Sequence, residues 1–164
     1  MSEIVQSWDT AIKAGQGNDA SACATFREKD GMHYLLDMRV VRLEYPALKR
    51  LIISHAEQFS PEAILMEDKA SGQSLIQDLR LETHWPLLAI QPKGDKIARL
   101  ARVSAMIEAG KVALPQYAAW LADFEREITA FPNVPHDDQV DAFSQYLNWV
   151  RDKQMQGNIQ IRSL

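Results

Sequence analysis

The sequence predicts a mixed α/β sheet, three antiparallel strands followed by parallel strands, flanked by helices. Three observations carry that expectation. The first third reads as strand after strand, with Asp30-Gly31 as a strong hairpin signal. From Tyr45 onward, apolar residues at helical spacing alternate with short continuous apolar runs, the pattern of strands covered on both faces. Pro92, Gly110 and Pro115 each follow such a segment and close it.

Taken in order, Ile4 to Asp9 reads as a short strand, followed by a turn-rich stretch from Ala14 to Asp19. Ala20 to Arg27 alternates small or apolar residues with polar ones, and Met32 to Leu43 returns as a longer strand. Tyr45 to Phe59 places Leu48, Leu51, Ile52 and Ala56 at helical spacing. Ala63 to Met66 is a buried strand, and Ser71-Gly72 leads into a helix carrying Leu75, Ile76 and Leu79. Leu87 to Ile90 reads as another buried strand, Lys96 to Ala109 as a helix, and Val112 to Leu114 as a short strand. Two further helices are expected at about Tyr117 to Phe131 and Asp137 to Lys153. No repeat, low-complexity tract or linker interrupts the pattern, so one domain is expected over residues 1–155, with 156–164 as a flexible C-terminal tail.

Composition agrees with a globular chain. Of 164 residues, 46% are hydrophobic and 24% charged, which excludes whole-chain disorder. No apolar run approaches the roughly 20 residues that span a bilayer, and no secretory signal pattern opens the sequence. The single Cys23 excludes an intrachain disulfide and a cysteine metal site, which fits a reducing cytoplasm. With a net charge of −4, any contact with nucleic acid has to come from a local basic patch.

The chemistry-bearing signal is three acidic spots, each at an element boundary. Asp9 follows Ile4-Val5, Glu67-Asp68 follows Ala63 to Met66, and Asp137-Asp138 opens the last helical pattern with Asp141 one turn on. Carboxylates are costly to place near a core, so three such endings suggest a shared site for divalent metal. Each also has a plain structural role open to it: Asp9 as a turn residue, Glu67-Asp68 as a solvated strand end, Asp137 and Asp138 as helix caps. Helical projection puts Val140, Phe143, Leu147 and Val150 in the core stripe, with Asp137 at its border and Asp138 and Asp141 further toward solvent.

Several motifs, in this order, carry a resemblance. Trp8-Asp9-Thr10, the run Leu65 to Gly72, Lys93-Gly94-Asp95-Lys96 with Arg99, Gly110-Lys111-Val112 to Pro115, and His136 to Ala142 together resemble the nuclease domain of the phage terminase large subunit. The resemblance spans nearly the whole chain. It implies a ribonuclease-H-like fold, which the order of elements also suggests. It further implies a metal-dependent endonuclease that cuts concatemeric double-stranded viral DNA during genome packaging. Two divalent ions, Mg²⁺ or Mn²⁺, would serve phosphodiester hydrolysis, with Asp9 as the bridging ligand, Glu67 on one ion and Asp138 on the other. Asp137 stays open beside Asp138, because projection favours the former and the family pattern the latter. Implied partners are the terminase ATPase domain, the small terminase subunit and the portal, in the host bacterial cytoplasm. The sequence contains no Gly-x-x-x-x-Gly-Lys-Ser/Thr phosphate loop, so the motor is absent from this chain, whether an excised domain or a short prophage product.

Around these acids, secondary roles divide. Asp19 reaches the metals or is a plain turn residue; Asp141 is a supporting or surface residue. His136 assists proton transfer, touches DNA or packs a loop. Ser71 and Gly72 present backbone N–H groups to a phosphate, or Ser71 caps the helix. Lys96, Arg99 and Arg102 recur every three residues and, with Lys93, form either a DNA contact or a solvated face. Trp85 and Trp120 read as packing residues. The alternatives are a junction-resolving or RNA-cleaving nuclease of the same fold, and a non-catalytic DNA-binding packaging module.

Overall fold

A computed structural model describes residues 3–12 and 19–162, with side chains as far as Gly157. Strands β1 (Glu3–Asp9), β2 (Ser21–Lys29) and β3 (Met32–Val41) form the expected antiparallel meander. Asp30 and Gly31, both at positive φ, make the tight turn between β2 and β3 that the Asp-Gly pair predicts. The expected turn over Ala14 to Asn18 lies outside the described residues. On the other side of β1, β4 (Ala63–Glu67) pairs in parallel, and β5 (Leu87–Ile90) pairs in parallel with β4. The two-residue β6 (Val112–Ala113) lies parallel to β3, giving the order β5-β4-β1-β2-β3-β6.

Alternation along the strands sends side chains to two cores. Trp8, Cys23, Ile64 and Met66 pack against Leu48, Ile52 and Ala56 of α1 (Tyr45–Phe59) and Leu75, Ile76 and Leu79 of α2 (Gln73–Glu82). Val5, Ala24, Phe26, Ala63 and Leu65 face the other way, toward α3 (Lys96–Glu108), α4 (Leu121–Ala130) and α5 (Asp138–Arg162). A bulge in β3 leaves Leu36 without a register partner, so Leu35 and Met38, three apart, both reach this second core.

Three expectations need revision. Leu87 to Ile90 is an edge strand rather than a strand buried on both faces: only Leu87 is buried, and Leu88 is 36% exposed. A short apolar run reads the same at an edge as at the centre. The helix expected from Tyr117 begins only at Leu121, and Tyr117 itself is 86% exposed, with little burial to hold a first turn. Helix α5 runs to Arg162, beyond the Lys153 at which it was expected to end; residues 163–164 lie outside the described residues. No proline interrupts that stretch, and Gly157 alone does not end a helix.

The docking of α5 positions the site. Val140, Phe143, Leu147 and Val150 are buried, as projection predicts, and Phe143 and Tyr146 pack on Phe26. Polar groups set its height along β1. Ser7 Oγ donates to the carbonyl of Ala142 at 2.8 Å, and Gln145 Nε2 donates to Ser7 Oγ at 2.9 Å and to the Trp8 carbonyl at 3.1 Å. At its N-terminus, the first-turn N–H groups have no partner within the helix. Glu127 of α4 supplies one: its carboxylate accepts from the Val140 N–H at 2.6 Å and from Gln139 Nε2 at 3.0 Å. Burial, with Asp138 and Asp137 nearby, pushes Glu127 up to about 7 against the opposing pull of these donors.

On the opposite face, His55 is buried between Trp8 and Phe59. Asp37 stands 3.5 Å from its Nε2, yet burial outweighs that partner and, with Arg39, lowers His55 to about 4.

Two measurements check these features. Glu127→Ala removes the cap and leaves the Val140 N–H buried without an acceptor, so it should lower stability by about 1–3 kcal/mol in chemical denaturation. An unchanged denaturation midpoint would show that the cap carries no weight. For His55, the folded value lies below the ordinary 6.5, so its contribution is complete above about pH 6.5 and is lost as pH falls toward 4. The stability of His55→Leu should therefore fall less steeply than wild type across that window, by up to about 1.4 kcal/mol per pH unit.

Candidate active site

The strand periodicities bring the first two acids together. In β1, Val5, Ser7 and Asp9 share the α5 face; in β4, Ala63, Leu65 and Glu67 share the same face. Register pairs Val5 with Ala63 and Trp8 with Met66, so the next positions, Asp9 and Glu67, stand level at the carboxyl ends of adjacent parallel strands. That edge is where ligands bind in open α/β sheets. Asp9 is only 8% exposed, and burial pushes it up to about 6; Lys69 pulls it back, while Asp138 and Glu67 add to the rise.

Lys69 is the direct link between the two. Its Nζ lies 2.8 Å from Asp9 Oδ1, 2.9 Å from Glu67 Oε2 and 3.3 Å from the Thr10 carbonyl. Burial opposes its charge, but Asp9 and Glu67 outweigh this and hold Lys69 above its ordinary value.

Helix α5 supplies the third group of acids. Asp138 is half-buried and raised by burial, by Asp137 and by Asp141, with His136 and Lys96 opposing. Asp141 has only 12% of its side chain exposed; burial and the charge of Asp9 push it up to about 6. Asp137 points elsewhere, to Lys96, whose Nζ bridges Asp137 Oδ1 at 2.8 Å and Asp141 Oδ2 at 3.0 Å.

Asp9, Glu67, Lys69, Asp138 and Asp141 border one open hollow of about 390 Å³, together with Asp19, Ser71, Lys96, Arg99 and the exposed His136. Asp137 does not line it. Asp141, expected further toward solvent, lies deeper than Asp137, because α3 covers the side that projection assigns to water: Arg99 stands 3.6 Å from Asp141 and Lys96 closer still. Gly72 is buried next to Thr10 and Glu67, and α2 starts without a side-chain cap from Ser71. Trp85 and Trp120 pack against the two cores.

A second hollow, of about 380 Å³, opens from the same carboxylates and runs between α3 and α5. It shares Asp9, Glu67, Arg99 and Asp141 with the first, and its rim carries Lys93, Arg102 and Lys153. Of the basic cluster Lys93, Lys96, Arg99 and Arg102 singled out in sequence, Lys93, Arg99 and Arg102 gather at this cleft, while Lys96 lines the first hollow. Arg99 donates to the Gly94 carbonyl at 2.8 Å, and Arg102 to the Lys93 carbonyl at 2.9 Å. Asn148 ties α5 to α3 by donating to the Arg99 carbonyl at 3.0 Å.

Sequence reasoning missed Lys69 as a side chain, Gln145, Asn148 and Glu127. The signal for the α5 pair was present: Asp141, Gln145, Asn148 and Asp152 form a polar stripe at spacings of three and four beside the core stripe.

As a donor set, the carboxylates suit a hard divalent ion such as Mg²⁺ or Mn²⁺. Asp9, held above its ordinary value by burial and secondarily by the charges of Asp138 and Glu67, is a group whose ionised form gains from a nearby dication. Among the described residues, no three acidic, histidine or cysteine side chains stand in metal-holding geometry as placed; Lys69 and Lys96 each stand between two carboxylates.

The fold has counterparts of known structure. The large terminase nuclease of the thermophilic phage G20c, with bound zinc, superposes with a TM-score of 0.67 at 14% identity, over 88% of this chain and 79% of that one. The human cytomegalovirus terminase nuclease domain, soaked with Mn, gives 0.58 at 12% identity over 91% and 81%. Fowlpox virus resolvase, in complex with Holliday junction DNA, gives 0.55 at 15% identity over 91% and 97%. The large terminase of another thermophilic bacteriophage gives 0.67 at 11% identity over 90% of this chain, which there spans 40% of the longer protein. No curated protein matches the sequence significantly. Residues 6–149 match the family model of the Terminase RNaseH-like domain. The mixed sheet and its order are thus those of a ribonuclease-H-like fold, and the chain belongs to the Terminase RNaseH-like domain family.

Proposed function

We propose that this chain is a metal-dependent DNA endonuclease that cuts concatemeric double-stranded viral DNA during phage genome packaging. The observation that carries the reading is the convergence of Asp9, Glu67, Asp138 and Asp141, from three distant segments, on one hollow with a cationic rim. Acids at a strand end and a helix start are commonplace singly; four around one cleft are not explained by capping.

In this reading Asp9, Glu67, Asp138 and Asp141 would hold the divalent ions, with Asp9 as the shared ligand, Glu67 on one side of it and Asp138 with Asp141 on the other. Asp137, which borders neither hollow, is the weaker partner. The ions, when bound, supply charge relief at the phosphate and a water of lowered pKa. The chain's own residues do the rest. Lys69 limits repulsion between Asp9 and Glu67, so both stay aimed at one point. Gln145 and Ser7 hold α5 against β1 and fix the distance between the two sets of acids. Arg99 and Arg102, braced by backbone carbonyls, offer charge to DNA phosphates beside the carboxylates; Lys93 adds an exposed cation, and Lys96 adds one held between Asp137 and Asp141. His136 and Asp19 border the hollow as supporting groups, and Ser71 sits at its edge. The ATPase domain, small subunit and portal would be its partners, in the host cytoplasm. Four-way junction DNA is the second candidate substrate, since fowlpox virus resolvase, solved with such a junction, corresponds over 97% of its own length.

Plasmid nicking tests the reading. Wild type should cut with Mn²⁺, stop with EDTA and recover on adding metal back. Asp9→Asn should lose more than about 100-fold, beyond the roughly 10–100-fold typical of losing an outer partner of a metal ligand. A mutant that cuts at the wild-type rate would remove Asp9 from the site, and a wild type without metal-dependent cleavage would favour a non-catalytic DNA-binding module. Within the last acidic group, Asp141→Asn should be far more damaging than Asp137→Asn, which should stay within about tenfold of wild type. The reverse order would return Asp137 to the ligand set.

A further inference from the structure

The nuclease reading uses the carboxylates and the cations beside them. It leaves unexplained the rest of the second hollow, between α3 and α5, whose lining differs in kind. Its walls combine apolar and aromatic surface (Ile90, Pro92, Trp149) with amides (Gln91, Gln145) and the two braced arginines. A phosphate track alone needs cations and has no use for an aromatic floor or amide edges. A docking site for an apolar peptide has no use for two arginines held rigid by backbone carbonyls. A base with its attached phosphate uses all three: a π face for the aromatic, amino donors for the carbonyl oxygens of amides whose nitrogens bond Asp68, Ser7 and the Trp8 carbonyl, and charge for the arginines. The size agrees, since about 380 Å³ lies within the range of roughly 300–1,000 Å³ for sites that enclose one small ligand.

We propose that this lobe is a subsite for a single unpaired nucleotide next to the scissile phosphate. The proposal rests on the nuclease reading and deepens it. In duplex DNA the bases are stacked and paired, so only their edges are exposed, and a base reaches such a lobe only by leaving the stack. The preferred substrate is therefore DNA that is locally opened near the cut, and duplex that must first be opened is bound more weakly.

Trp149 is built for an exchange at that position. It is half-buried, with Tyr146 on its inner side at a centroid distance of 6.3 Å, and the ammonium of Lys153 lies 4.1 Å from the ring centroid. Lys153 is exposed and long enough to swing away. An entering base takes the ring face, and the displaced ammonium gains the phosphate that arrives with it. The lobe also starts at the correct place: Asp9, Glu67 and Asp141 border both hollows, so a nucleotide in it is the neighbour of a phosphate held at the carboxylates.

The test measures binding with the full chain carrying Asp9→Asn, in Mg²⁺, by fluorescence anisotropy. The probes are a fully paired duplex and a forked duplex of the same sequence with splayed single-stranded arms. The fork should bind about tenfold more tightly, the order expected from stacking one base on an aromatic side chain. Adding Trp149→Leu should remove most of that preference while leaving duplex affinity within about twofold. Equal affinity for fork and duplex, or a variant that weakens both probes alike, would overturn the subsite while leaving the nuclease reading intact. Binding of neither probe by the parent protein would overturn both.

Discussion

The parallel pairing of β1 with β4 is the constraint on which the rest of the molecule depends. It does two things at once. Period-two alternation assigns Asp9 and Glu67 to the face that α5 covers, and the register of Val5 with Ala63 sets them at the same height. A slip of one residue would turn Asp9 toward α1 and bring Trp8 into the cleft, undoing the core on one face and the site on the other. Helix α5 is then measured against the same strand, through Ser7 and Gln145, so the third group of acids inherits its position from β1 as well. Two strands and one helix place the carboxylates; Lys69, from the loop after β4, and Lys96 and Arg99, from α3, complete the cleft.

That concentration of acid works against folding. Asp9, Asp138 and Asp141 are all held above their ordinary values, burial being the largest cause for each. Their charged forms therefore cost stability, which the fold offsets in two ways. Beneath the carboxylates lie the apolar contacts of Val5, Leu65, Phe143 and Leu147. Between them stand Lys69 and Lys96, each shared by two acids, and a lysine in that position offsets part of the desolvation that it also suffers. A fold that needed only stability would have no reason to hold four carboxylates there. Their presence points to a demand for negative charge at one place, as a cation site imposes.

How much of this the sequence discloses depends on the range over which each signal acts. The hairpin at Asp30-Gly31, the stripe of Val140, Phe143, Leu147 and Val150, and the strand that ends at Asp9 are local patterns, and all were legible. The position of Asp141 was not. Helical projection defines an outward side, but only tertiary packing says what lies there; α3 fills it with Lys96 and Arg99, turning an apparently solvated acid into a cleft residue. Leu88 shows the same limit in a strand, since an edge position depends on which strands pair and not on the run itself. Glu127 was invisible for a related reason: a cap supplied by another helix has no fixed spacing from the N–H that it satisfies. Lys69 was legible only as part of a loop, because nothing in Glu67-Asp68-Lys69 says that its side chain folds back onto both neighbouring strands.

The chain carries a net charge of −4, yet its proposed ligand is a polyanion. Distribution reconciles the two. Arg99 and Arg102 are fixed by the carbonyls of Gly94 and Lys93, so their charge is presented without the entropy cost of ordering a free side chain on binding. Beside them, the carboxylates repel a phosphate at the very point where it has to approach for cleavage. On the nuclease reading, neutralising those acids and binding DNA are therefore one linked event: whatever cancels the charge of Asp9, Glu67, Asp138 and Asp141 also raises affinity for the phosphate, and a bound phosphate among the arginines favours that cancellation in return. An acidic domain built this way holds DNA weakly until its site is charged for reaction, so productive binding and readiness to cut coincide.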